Sequence, residues 1–61
     1  MSGDVKKQVS EVSETLKKIT ESAGEAGRKA AGFDKELSTK IHRIHQASEE
    51  ASKHIRERQE K

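Results

Sequence analysis

Arg28-Lys29-Ala30-Ala31-Gly32-Phe33-Asp34-Lys35-Glu36-Leu37 is the stretch on which the architecture turns. Before and through it, apolar residues fall at Val5, Val9, Val12, Leu16, Ile19, Ala23, Ala26, Ala30, Phe33 and Leu37, in alternating steps of four and three. That is the spacing of one stripe on a helix. After it the stripe continues at Ile41, Ile44, Ser48, Ala51 and Ile55, but the step from Leu37 to Ile41 is a second consecutive four, so the phase shifts. No segment alternates with period two and proline is absent, so strands are not expected.

Two architectures accommodate the shift. In the first, the chain is an all-α antiparallel hairpin with a turn near 31–34, a first helix over about 4–31 and a second over about 35–60. Gly32 then suits the left-handed residue that ends a helix, Phe33 the apolar contact beyond it, and Asp34 the N-cap of the next helix. Arg28 and Lys29 sit where cations favour a helix C-terminus, and Glu36 where an acid favours an N-terminus. In the second, one continuous coiled-coil helix runs through Gly32 and carries a stutter near 37–41. The unbroken heptad up to Leu37 speaks for the continuous helix; the cap residues and the matched lengths of the two arms favour the hairpin.

Working outward, the whole chain of 61 residues is one helical module, residues 1–61, with 28% hydrophobic and 39% charged residues. Mean hydropathy is −1.10. Only ten residues are Leu, Ile, Val or Phe, a scarcity typical of disordered chains, yet the net charge is only +2 and the ten lie on one helical stripe. A chain this short buries too little surface to be comfortable alone. The hairpin is therefore expected to self-associate into a four-helix bundle or to dock on another helical protein. The partner-binding face is expected at Val5, Val9, Val12, Leu16, Ile19, Phe33, Leu37, Ile41, Ile44 and Ile55.

Positions beside the first-arm stripe, among them Ser13, Thr15, Thr20, Ser22 and Gly27, are small and uncharged where a two-stranded zipper carries Glu and Lys, which again suits a bundle. Gly24 and Gly27 weaken the helix locally and are read as sites of close helix packing, with a hinge as the alternative. Glu14–Lys18, Glu25–Lys29, Glu36–Lys40, Glu49–Lys53 and Glu57–Lys61 are spaced for i,i+4 ion pairs on solvated faces.

Function classes narrow accordingly. With no cysteine there is no disulfide framework, thiol nucleophile or thiolate metal ligand. A Ser nucleophile would lack a water-excluding pocket on two helices, so no enzyme activity and no cofactor are expected. His42, His45 and Glu49 share a helix face but match no zinc spacing, so no metal site is assigned; His45 lies nearest the expected helix contact. The expected function is a non-catalytic interaction and oligomerisation module serving as a small adaptor, assembly or regulatory protein. The alternative is a nucleic-acid-binding bundle that uses Lys35, Lys40, Arg43, Lys53 and Arg56 of the second helix. A membrane-surface role is disfavoured by the narrow, alanine-weakened stripe. The lack of a signal-like or spanning segment leads to the expectation of a cytoplasmic protein.

Overall fold

Helix α1 spans Gly3–Ala31 and helix α2 spans Lys35–Gln59, and they lie antiparallel across a three-residue connection. The computed structural model of the chain describes residues 3–59, and among these there is no strand. Contacts between the helices run in opposite chain directions: Thr20 meets Ser48, a Cβ placed on Gly24 would meet His45, and one on Gly27 would meet Ile41. The long axis is 47 Å. A 29-residue helix accounts for it at about 1.5 Å per residue, whereas a continuous helix would run to roughly 85 Å. The hairpin reading holds, with boundaries within a residue of those expected for α1 and at the start of α2. Residue 60, the expected end of α2, lies outside the described residues.

The turn is built differently from the sequence expectation. Neither Gly32 nor any other described residue has a positive φ, so α1 does not end in a left-handed glycine. It tightens instead: the N–H groups of Gly32 and Phe33 donate to the carbonyls of Lys29 and Ala30, three residues back, at 3.2 and 3.0 Å. The Asp34 N–H donates to the same Ala30 carbonyl at 2.7 Å. This short 3₁₀-like tail satisfies carbonyls that the helix end leaves open without asking Gly32 for a special conformation. Phe33 finds no apolar cover in the turn and is 78% exposed.

Asp34 acts as the N-cap expected of it. Its carboxylate Oδ1 accepts from the Leu37 N–H at 3.1 Å, and its carbonyl accepts the first helical bond, from the Ser38 N–H, at 3.0 Å. Ser38 then ties α2 to α1, its hydroxyl donating to the Gly27 carbonyl at 2.9 Å.

The seam between the helices is narrow near the turn and polar at its middle. Ala23 and Ala30 are the buried apolar residues, and Ser48 is the buried polar one. Thr20 Oγ1 and Ser48 Oγ lie 2.7 Å apart across the seam, while each also sits within hydrogen-bond distance of a carbonyl of its own helix, Leu16 at 2.9 Å and His45 at 2.8 Å. Two hydroxyl protons serve three contacts, so one hydroxyl must release its own carbonyl to donate across.

Removing the cap should show in stability. Asp34→Ala is expected to cost about 1 kcal/mol, read as a lower urea midpoint with an unchanged slope. An unchanged midpoint would mean that α2 starts independently of this side chain.

Candidate functional site

The apolar stripe is divided by the fold into two rows. Val9, Leu16, Ala23 and Ala30 of α1, with Ile41, Ser48 and Ile55 of α2, point toward the seam and are buried or half-buried. The other row, Val5, Val12, Ile19 and Ala26 with Leu37 and Ile44, lies along one side of it and is exposed. Ile44 is 53% exposed, Val12 50%, and Val5, Ile19 and Leu37 are near 40%. Within each helix the residues of a row repeat every seven positions, which keeps a row on one side of a nearly straight helix. Phe33 ends the α1 series at the turn.

Ile19, Ala26, Ile41 and Ile44 wall a shallow apolar groove on that side, edged by Thr15 and Ser22 and touched by one charged residue, Lys18. Of the small flanking residues, Ser13, Thr20 and Gly27 fall on the seam, while Thr15 and Ser22 border the open apolar side. Ten expected partner-binding residues are therefore not one surface: Val9, Leu16, Ile41 and Ile55 hold the hairpin together, and the rest face outward.

The opposite side is polar and carries the histidines. Gly24, Gly27, Arg28, Ser38, His42 and His45 line a groove of about 350 Å³ that continues to Ala23 and Ala31. Gly24 and Gly27 pack closely against α2: a Cβ on Gly24 would stand 3.5 Å from the His45 ring, and one on Gly27 would stand 3.6 Å from Ile41. The packing reading of these glycines therefore holds, and α1 runs through them without a break. His45 is drawn into this contact with 28% of its side chain exposed, and the His42 ring lies parallel to it at 6.1 Å between centroids. Glu49 Oε1 comes to 3.0 Å from His45 Nδ1. That nitrogen is buried and makes no hydrogen bond, so the carboxylate supplies a nearby charge without lying along the N–H direction. Among the described residues no three His, Asp or Glu side chains gather as a metal centre requires.

The cations of α2 do not form a stripe. At 100° per residue, Lys35, Lys53 and Arg56 fall on one flank of the helix, with Arg43 about 80° and Lys40 about 140° away from Lys35 and Lys53, so the five spread over roughly 200°. Acids are interleaved: Lys40 Nζ pairs with Glu36 at 3.7 Å, and Lys53 and Arg56 share a groove with Glu49 and Glu50. Arg56 also closes a second groove beside Lys17, Glu21 and Glu49. Of the other spaced pairs, Glu25–Lys29 forms at 3.2 Å, Glu49 turns to His45 in place of Lys53, and Lys61 lies outside the described residues. These pairs are solvent-exposed and contribute at most a few tenths of a kcal/mol each, about what surface pairs measure.

No family model, curated protein or solved structure matches this chain. No helix among the described residues is long and apolar enough to cross a membrane.

The two rows should respond oppositely to added bulk. Ala23→Leu, in the seam, is expected to cost about 1–3 kcal/mol by overpacking, while Ala26→Leu, in the open row, where the hairpin leaves room for the added bulk, is expected to cost less. Urea denaturation of both variants at one chain concentration checks this; equal losses would contradict the division of the stripe.

Proposed function

We propose that the chain is a non-catalytic oligomerisation and interaction module whose open apolar row is covered by the same row of a second copy, completing an antiparallel four-helix bundle. The observation that carries this reading is the alignment of Val5, Val12, Ile19, Leu37 and Ile44 on one side of the hairpin, at 40–53% exposure. A two-helix hairpin needs one apolar row per helix. The second row has the same heptad repeat and runs the length of the hairpin, so it fits a surface with that repeat and that length, which another hairpin supplies.

Area and charge support the same occupant. The broad face, 47 by 17 Å, has a footprint of about 800 Å², what a standard interface covers on each partner. The groove at its centre is touched by one charged residue, Lys18, whose long stem can cover apolar surface while its ammonium stays in water at the rim. Full burial of a large aliphatic side chain is worth about 1.5–3 kcal/mol, so finishing the burial of five such residues contributes several kcal/mol per chain against the cost of association. Adaptor or regulatory work would follow from what else the assembled bundle presents. The nucleic-acid reading has less behind it, because the α2 cations are spread around much of the helix among acids.

Sedimentation or scattering with mass determination tests the proposal. The protein at micromolar concentration is expected at twice the chain mass, and Ile44→Asp is expected to return it to one chain. Ile41→Asp, in the seam, is expected to unfold the chain as well. A monomer at about 100 μM, roughly −5.5 kcal/mol of association at most, or an Ile44→Asp protein of unchanged mass, would overturn it.

A further inference from the structure

We propose that the groove opposite the apolar row is a binding site for a phosphate group, held by Arg28 from α1 and by His42 and His45 from α2. Its centre is Gly24. Arg28 Nη1 and His45 Nε2 stand 3.6 and 3.7 Å from the point where an alanine at this position would place its Cβ. A cationic and an imidazole nitrogen thus converge on one spot that the absent side chain leaves open. The two nitrogens are therefore near enough to each other for different oxygens of a single phosphate, seated in the groove outside the Gly24 backbone, to reach both.

The charges around that spot favour an anion. Arg28 has no ion-pair or hydrogen-bond partner among the described residues, unlike Lys29 and Lys40, which are paired with Glu25 and Glu36. No acid lines the groove. The carboxylate beside His45, that of Glu49, lies on the Nδ1 side of the ring, and Nε2 faces Gly24. His42, parallel to His45 on the same wall, adds a second imidazole. A guanidinium with two imidazoles suits a tetrahedral phosphate anion: Arg forms directed bonds to phosphate oxygens, and an imidazole N–H adds a further donor. The Ser38 hydroxyl is committed to the Gly27 carbonyl at 2.9 Å and stays available only as an acceptor.

The groove shares only the seam residue Ala23 with the apolar groove, so pairing of two hairpins through their apolar rows leaves it open to solvent. The proposal does not rest on self-association. Inorganic phosphate and a simple organic phosphomonoester present the same kind of anionic oxygens, and a monoester that binds much more tightly would mean that the organic part occupies the rest of the groove.

Nuclear magnetic resonance titration tests it on the full chain, at one fixed pH with chloride holding the ionic strength constant. Inorganic phosphate is expected to give saturable shifts confined to the His42 and His45 rings and the Gly24 and Gly27 amides. Arg28→Gln is expected to weaken binding about tenfold, the worth of one charge-assisted hydrogen bond. Gly24→Ala is the second variant: it raises helix propensity, so the melting temperature should rise, yet its methyl rests against both nitrogens and crowds the floor of the groove, so binding should weaken. Shifts that never saturate, that spread equally to Lys53 and Arg56, or that persist in both variants at wild-type affinity would overturn the proposal.

Discussion

Close approach of the two helices at Ala23, Gly24, Gly27 and Ala30 is the constraint from which the other features follow. Ala30 is 2% exposed, and a Cβ on Gly24 or Gly27 would rest in ordinary contact with His45 or Ile41, so an alanine fits at the glycines but a longer side chain would press on α2. Small residues let the backbones meet, and the meeting distance in turn sets how much side chain the seam can hold. It holds one row per helix. Most of the bulk in the first-arm stripe is left on the outside.

That division gives the molecule two unlike sides. Along one, aliphatic residues repeat every seven positions with little charge near them. Along the other, Arg28 and His45 border the space that Gly24 leaves without a side chain. The polar contact between Thr20 and Ser48 lies between these sides, in the middle of the seam. Apolar residues at both positions would bury equally well at several registers, whereas a hydroxyl pair is satisfied at one, which is how buried polar groups act in coiled coils.

Much of this was legible along the chain. The heptad spacing, Asp34 as a cap, Glu36 and the Arg28-Lys29 pair at the helix ends, and the matched arms all pointed to two helices near their observed limits. Gly32 misled in one respect. Glycine at a helix end suggests a left-handed residue, but two i→i−3 bonds close the turn first and no such residue is needed. Phe33 was placed with the apolar face because it completes the heptad, yet the turn lifts it away from both helices. The histidine groove was less accessible: Gly24 and His45 are far apart in sequence, and nothing in their spacing signals that they touch.

Periodicity and capping are local, since each depends on residues within a turn or two of helix, and so helices, ends and hairpin could be derived from residue order. Which of two equivalent rows faces the partner helix is not local. It depends on the rotation of each helix about its own axis, set by where the smallest residues permit the closest contact. Sequence therefore supplied one stripe of apolar residues, and tertiary packing separated it into a seam that holds the hairpin and a face that remains open.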